Sequence, residues 1–234
     1  MASAHTHRFL SLTAWGVGVG LIALVVVVGS AGGADEASSQ AKASLSKGLQ
    51  AFKKGRLPEA AKAFERAADL DPTNPITFNN LGLTYIRMGR ARDAIDPFER
   101  AVALRPTSPT FHYNLARACH LAKNYPKAIE HYQKALALDP AHPLAHLHLG
   151  KLYGREQQRY PEAIDALSKA IALNADDTNA RYLPEAHYLL AVAYYGVKNF
   201  PLSWKSVREA ERLGYDVNPA FLKALRQVAP ESPK

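Results

Sequence analysis

The sequence predicts an all-α protein built as a solenoid of stacked helical hairpins. Pro72, Pro106 and Pro140 stand 34 residues apart, and they close similar phrases: D-L-D-P, V-A-L-R-P and L-A-L-D-P. On a grid with this 34-residue period, four further columns of residues recur in phase. A fixed period of this length is the signature of a solenoid, in which one small helical unit is copied and stacked.

The recurring columns hold small residues, alanines and large apolar residues. They read Gly48, Gly82, Ala116, Gly150, Ala191; Ala60, Ala94, Ala128, Ala163, Ser203; Phe64, Phe98, Tyr132, Leu167, Val207; and Ala67, Ala101, Ala135, Ala170, Ala210. Glycine inside a helix costs about 1 kcal/mol relative to alanine, so its return in one column needs a physical reason. We expect close approach of the two helices of each hairpin, with the alanines facing the glycines and the large residues filling the gap towards the next repeat.

These columns resemble the tetratricopeptide repeat (TPR) family, whose motif has an aromatic residue, then L-G, Y, A, F, A and P at set offsets. Repeat two carries Phe78, Leu81, Gly82, Tyr85, Ala94, Phe98, Ala101 and Pro106. The resemblance covers residues 41–216 and implies a right-handed superhelix of about five helix-turn-helix repeats. We place the repeats at 41–74, 75–108, 109–142, 143–177 and 184–216, and a capping helix with a tail at 217–234.

Prolines mark the starts of the predicted helices. Pro58, Pro126, Pro161 and Pro201 open second helices, because the first helical position does not need the missing N–H. Pro97 breaks this pattern, since the register places it inside the second helix of repeat two. There it should bend the helix at a cost of about 3 kcal/mol. The polar stretch before repeat five, residues 174–183, is the longest predicted loop between repeats.

The N-terminal segment, residues 1–34, is predicted to be a signal-anchor with one transmembrane helix. Residues 9–28 carry no charge, and twenty helical residues span roughly 30 Å, which matches a bilayer core. Arg8 precedes the segment, whereas Asp35 and Glu36 follow it, so the N-terminus is expected in the cytoplasm and the repeats on the extracytoplasmic side. That side is the periplasm in a Gram-negative cell. Residues 35–40 are predicted to be a short polar linker.

A cleaved signal is the alternative for this segment. Gly29-Ser30-Ala31 and Gly32-Gly33-Ala34 both end in small residues of the kind that signal peptidase prefers. Cleavage would release a secreted, soluble adaptor. The apolar stretch is longer than a typical secretory h-region, which favours a retained anchor.

Neither catalysis nor metal binding is indicated by the residue patterns. The sequence has no nucleophile elbow, zinc-protease motif, Walker loop or dinucleotide fingerprint, so we predict neither an enzyme nor a cofactor. Of the nine histidines, His142, His146 and His148 are the best metal candidates. However, His112, His146 and His187 share one grid column, which favours a structural role, and no carboxylate or cysteine cluster accompanies them.

The functional surface is predicted on the concave face, which in TPR proteins is built by the first helix of each repeat. By this resemblance, the partner-binding positions are Asn80, Arg87, Tyr113, Asn114, Arg117, His148, Lys151, Arg155 and Tyr188. Arginine, lysine, amides and aromatic side chains together favour an extended, acidic peptide, because bidentate arginine–carboxylate pairs are strong and directional.

The sequence therefore predicts a membrane-tethered extracytoplasmic scaffold for protein–protein interactions, of the kind that serves envelope assembly or export. Nucleic-acid binding is the competing class, because the net charge is +8 and the isoelectric point is about 9.5. Acids and bases interleave on the second helices, for example at Arg92, Asp93 and Asp96, whereas a nucleic-acid footprint is a continuous basic stripe. We therefore predict protein partners and no nucleic acid.

Overall fold

The computed structural model describes residues 31–173 and 181–230, which form eleven α-helices, one π-helical segment and no strand. The predicted all-α class is confirmed for these residues. The helices are α1 (Ala31–Lys53), α2 (Leu57–Leu70), α3 (Pro75–Arg87), α4 (Ile95–Leu104), α5 (Pro109–Leu121), α6 (Tyr125–Leu138), α7 (Pro143–Lys151), the π-helical segment (Leu152–Glu156), α8 (Tyr160–Ala172), α9 (Leu183–Gly196), α10 (Phe200–Arg212) and α11 (Pro219–Val228).

The helices stack in the order of the sequence. Five hairpins form from α1 with α2, α3 with α4, α5 with α6, α7 with α8, and α9 with α10. Each second helix also packs on the first helix of the next hairpin. First helices contact each other across repeats, as α1 with α3, α3 with α5, and α7 with α9. This arrangement is the predicted solenoid, and the first helices form one wall of it.

Proline and short polar side chains start most of the helices. Pro75 is the first residue of α3, and the side chain of Asn74 accepts a hydrogen bond from the backbone N–H of Ile76 at 3.0 Å. Pro109 starts α5 in the same way, and the Ser108 hydroxyl oxygen accepts from Phe111 N at 3.4 Å. These side chains satisfy backbone donors that have no partner within the helix.

Pro97 does not bend a helix, so that prediction is wrong. Residues 91–94 form turns, and α4 begins only at Ile95, which makes Pro97 its third residue. The helix is ten residues long, whereas the other second helices have 13 or 14. A proline in the first turn loses no intrahelical bond, so the late start of α4 avoids the cost of an interior proline.

The glycine column is explained by the large residue of the second helix rather than by the alanines. A Cβ atom built on Gly82 would lie 2.7 Å from the ring of Phe98, and one on Gly48 would lie 2.5 Å from the ring of Phe64. Both rings are fully buried. The phenylalanine rings therefore occupy the space in which a side chain at these glycines would stand, and this contact joins the two helices of a hairpin.

The last helix covers the end of the stack. Asn218 caps α11 by accepting a hydrogen bond from Ala220 N at 2.8 Å. Leu225 is fully buried against Trp204 and Val207, and the indole N–H of Trp204 donates to Ala229 O at 2.9 Å. The terminal hairpin thus does not expose the apolar face that another repeat would cover.

The N-terminal predictions are only partly within the described residues. Residues 35–40, predicted as a linker, are helical and continuous with the rest of α1. The apolar segment 9–28 lies outside the described residues, and so does the part of the predicted loop at 174–180. Among the helices in the described ranges, none combines the length and the hydrophobicity that a membrane span requires.

Substitution of Gly82 by leucine should destabilise the fold by about 1–3 kcal/mol, because the buried Phe98 ring leaves no room for a side chain. Gly154→Ala is the matched control, since its new Cβ would lie at an ordinary 3.4 Å from Ala163. Urea denaturation of both variants measures the effect. Equal stability of Gly82→Leu and the wild-type protein would contradict this account of helix pairing.

Candidate functional site

The predicted binding positions lie on the wall of first helices, with Arg155 just after α7 in the π-helical segment. We call this wall the groove. Its side chains divide into three groups, at the N-terminal end, the centre and the C-terminal end. The structure gives these groups different roles.

At the N-terminal end, the predicted polar residues are bonded within the protein, to neighbouring repeats or to their own helix. Asn114 is buried, and its side-chain amide donates to Asn79 Oδ1 at 2.8 Å. The guanidinium of Arg87 lies 4.6 Å from the centre of the Phe52 ring and donates to the Phe52 carbonyl at 3.2 Å. Asn80 donates to the Ile76 carbonyl of its own helix at 2.8 Å and stays half-buried. These residues therefore stabilise the solenoid, and they do not converge on one site.

At the centre, four rings from three helices come together. We call Tyr113, His120, Tyr132 and His148 the aromatic cluster. The Tyr132 ring centre lies 6.0 Å from that of Tyr113, 6.2 Å from that of His148 and 6.4 Å from that of His120. Tyr113 and His148 were predicted to bind the partner, whereas Tyr132 was not, because its column was assigned to packing. The available signal was a tyrosine where the other repeats have Phe64, Phe98, Leu167 and Val207.

The three predicted cations of the central groove differ in their contacts. Lys151 donates to Glu185 Oε1 at 2.6 Å, and both side chains are about one-third exposed. This ion pair joins repeats four and five, so Lys151 is not free for a partner. Arg117 is half-buried and Arg155 is exposed, and within the described ranges neither makes a hydrogen bond or an ion pair. These two guanidinium groups are therefore available to bind an anion.

At the C-terminal end, the chain covers its own groove. The Tyr188 ring stacks on Tyr215 at 4.8 Å between centres and meets the Phe221 ring edge-on at 5.8 Å. Tyr195 contacts the same Phe221 ring at 5.6 Å. The predicted binding residue Tyr188 is thus a contact for α11 and for the segment that precedes it.

Burial sets the charge state of the central histidines. Burial lowers the pKa of His148 to about 4, and the positive charges of Lys151 and Arg117 act in the same direction. Burial also lowers the pKa of His120. Both rings are therefore neutral at pH 7, and each has one N–H donor and one acceptor nitrogen. Burial raises the pKa of Tyr113, against the opposing charge of Arg117, so this side chain also keeps its proton.

The histidine column has a structural role that the sequence analysis did not specify. His112 Nε2 lies 2.9 Å from the carbonyl of Pro106, and His146 Nε2 lies 3.0 Å from the carbonyl of Pro140. Because a carbonyl only accepts, each Nε2 carries the proton. The repeated signal is a proline followed six residues later by histidine.

The other histidines nearby also have partners within the protein. His112 Nδ1 lies 3.0 Å from Nδ1 of buried His131. His142 Nδ1 accepts a hydrogen bond from Ala145 N at 3.2 Å. Over residues 31–173 and 181–230, no three histidine, cysteine or acidic side chains converge as a metal site would require.

Comparison with known proteins identifies the repeats. A family model described as tetratricopeptide repeat matches residues 79–143 and 124–180, and a second model, described as TPR repeat, matches residues 48–89. The chain contains tetratricopeptide repeats. Among curated proteins, no sequence relative of this TPR protein was found.

Solved structures support the same fold. The crystal structure of MamA is 26% identical, with a TM-score of 0.65, and the alignment covers 76% of this chain and 96% of MamA. PilF from Pseudomonas aeruginosa is 19% identical (TM-score 0.66; 84% of this chain and 86% of PilF). YrrB, described as a TPR protein with an unusual peptide-binding site, is 17% identical (TM-score 0.65; 84% of this chain and 95% of YrrB).

Acidification should destabilise this TPR protein because His131 and His148 are held neutral. The pKa of each is lowered from 6.5 to about 4, so the unfolded chain binds more protons. The corresponding stability is present above pH 6.5 and is lost as the pH falls towards 4, by at most about 1.4 kcal/mol per pH unit for each histidine. Urea denaturation at a series of pH values measures the slope.

His148→Gln separates this effect from the titration of carboxylates, because it removes only one titrating ring. The variant should lose stability less steeply with falling pH than the wild-type protein. Parallel slopes for the two proteins would show that His148 is not held neutral by the fold.

Proposed function

We propose that this TPR protein is a scaffold that holds other proteins, as extended acidic segments, in the centre of its groove. The observation that carries the proposal is that the guanidinium groups of Arg117 and Arg155 make no hydrogen bond or ion pair in the described residues, in a groove that also holds the aromatic cluster. Arginine binds carboxylates in a bidentate manner, and aromatic side chains supply apolar contact area. Proteins built from such repeats generally act as non-enzymatic scaffolds.

Several exposed apolar side chains lie on the helices that build the groove. Leu49, Ile76 and Leu144 lie on first helices and are 42%, 45% and 37% exposed. A partner segment with acidic and apolar residues would therefore match the groove better than a uniformly charged chain. YrrB, which shares the fold, is described as a TPR protein with an unusual peptide-binding site. This description supports a peptide as the ligand class.

Charge pairing on the outer surface favours a protein partner over nucleic acid. Basic residues of the second helices and of the turns before them pair with acids three or four residues away, as Arg90 with Asp93 at 2.6 Å and Lys169 with Asp165 at 2.9 Å. Arg159 and Glu162 form the same arrangement at 2.8 Å. Such neighbours break up a basic stripe of the kind that tracks a phosphate backbone.

We further propose that residues 9–28 anchor the protein in a membrane, with the repeats on the extracytoplasmic side. The support is the length of the uncharged segment and the position of Arg8 before it, with Asp35 and Glu36 after it. Helix α1 includes Ala31, which lies three residues after the end of the segment. A scaffold in this position would serve envelope assembly or export.

Reversing the two free groove charges should abolish partner binding without unfolding the protein. We expect Arg117→Glu combined with Arg155→Glu to remove most of the crosslinked partners that the wild-type protein captures in its native membrane. The melting temperature should stay the same, because neither arginine is bonded within the described residues. Lys151 is left unchanged, because its reversal would place two acids together at Glu185.

The matched control reverses two exposed basic residues of the outer surface, Arg66→Glu and Arg92→Glu, and so gives the same net charge. It should capture the same partners as the wild-type protein. Equal capture by the groove variant would show that the groove is not the docking surface.

The membrane proposal predicts that the full mass of 25.6 kDa is retained in protein extracted from membranes. Protease added from the extracytoplasmic side should digest the repeats. Intact-mass spectrometry after extraction measures the first outcome. Loss of the residues up to Ala31 or Ala34, with recovery in the soluble fraction, would instead identify a secreted TPR adaptor.

A further inference from the structure

One buried polar atom of the aromatic cluster has no partner among the described residues. The hydroxyl of Tyr132 is completely shielded from solvent, and of the buried side-chain polar atoms in the described residues it is the one without a hydrogen bond. A buried hydroxyl without a partner destabilises a fold, and most such groups are paired. The same column holds Phe64 and Phe98 in other repeats, so packing at this position does not require the oxygen.

The side chains around the Tyr132 ring are mainly hydrogen-bond donors. Arg117 is close enough that its charge opposes the rise that burial causes in the pKa of Tyr132. Tyr113 and His148 contribute an O–H and a neutral ring, and no hydrogen bond holds either of them. Because neither side chain is already hydrogen-bonded, both can donate to an anion without first losing a bond. Neither side chain carries a charge at pH 7.

The acidic side chains closest to the cluster are already bonded elsewhere. Glu185 accepts from Lys151 at 2.6 Å, and Glu156 accepts from the Tyr125 hydroxyl at 2.8 Å. The positive charge of Arg117 therefore has no counter-ion in the described residues. A site with one unpaired cation and several uncharged donors is suited to one negatively charged group with several acceptor lone pairs.

We infer that Arg117 and the aromatic cluster form a subsite for a single carboxylate of the bound polypeptide, with the Tyr132 hydroxyl as the donor at its base. This inference deepens the proposed function and rests on it. Arg117 would supply the positive charge and bidentate hydrogen bonds to the carboxylate. Tyr132 and His148 would supply uncharged hydrogen-bond donors. Because the hydroxyl has no accessible surface in the free protein, the carboxylate would reach it only when the side chains that cover it move apart, and it would then complete the hydrogen bonding of the hydroxyl.

The position of the cluster indicates an internal aspartate or glutamate rather than a chain end. Its residues belong to the third and fourth of five hairpins, so groove remains on the side of repeats one and two, with exposed Leu49 and Ile76. On the other side, exposed Arg155 continues the surface before the Tyr188 contacts begin. A polypeptide in the groove would pass across the cluster and present a side chain to it.

The test uses the full chain, purified in detergent, and an array of peptides in pairs. Each pair differs only by Glu or Gln at one central position, and each acetylated peptide is made in an amidated form and in a form with a free C-terminal carboxylate. The wild-type protein should prefer the Glu member of its bound pairs. Tyr132→Phe should reduce that preference about tenfold, the effect of losing one hydrogen bond to a charged group, and Arg117→Gln should remove it.

Tyr153→Phe is the matched control, because it deletes the hydroxyl of another buried tyrosine, one that accepts from Gln133 outside the cluster. It should leave the preference unchanged. Free Tyr132→Phe protein should melt at the same temperature as the wild-type protein or higher, because an unpartnered hydroxyl has been removed. A lower melting temperature would show that the hydroxyl is bonded within the fold, and would overturn the inference.

Other outcomes also overturn the inference, and they are distinguishable from a failure of the proposed function. An unchanged preference in Tyr132→Phe would mean that Arg117 alone recognises the acid and that the hydroxyl stays buried without contacting the ligand. Binding confined to peptides with a free C-terminal carboxylate would replace the internal side chain by a chain end. In both cases the groove would still bind peptides, whereas capture of the same partners by the charge-reversed groove variant would remove the groove function itself.

Discussion

The structure depends on one packing contact, which recurs in the first, second and fourth hairpins. A large apolar side chain of the second helix lies over a glycine of the first, as Phe98 lies over Gly82. Because a side chain at the glycine would overlap the ring, the contact sets how closely the two helices approach. Hairpins of equal geometry then stack in sequence order, and their first helices form a continuous wall. The groove is a consequence of this repetition.

Polar side chains on that wall have two separate roles. Asn114, Arg87 and Lys151 bind groups of neighbouring repeats, so they hold the hairpins at a fixed spacing. Arg117 and Arg155 have no such partner among the described residues and are left to bind a ligand. A basic groove residue therefore indicates binding capacity only after its partners within the protein are known, since a paired charge offers little to a ligand.

Departures from the repeat pattern mark the unusual features of this TPR protein. Repeat three has Ala116 and Tyr132 where repeat two has glycine and phenylalanine, and the added hydroxyl is the buried group without a partner. Repeat two has Pro97, and its second helix starts late as a result. The last repeat has Tyr188 and Tyr195 on the groove side, and these rings hold the terminal segment. Each departure changes one local contact, while the stacking of the hairpins is retained.

The sequence by itself determined the helical hairpins, their period and most of their boundaries, because these follow from local spacing and from proline and glycine chemistry. It also placed Arg117 and His148 on the groove. Only the tertiary structure decided that Lys151 meets Glu185, that Tyr188 meets Tyr215, and that the Tyr132 ring lies among the groove rings. These contacts join residues 27 to 34 positions apart, or residues of different helices, and their distances depend on how one hairpin sits on the next. A periodic pattern fixes which face a residue occupies, but it does not fix which side chain it meets across the interface.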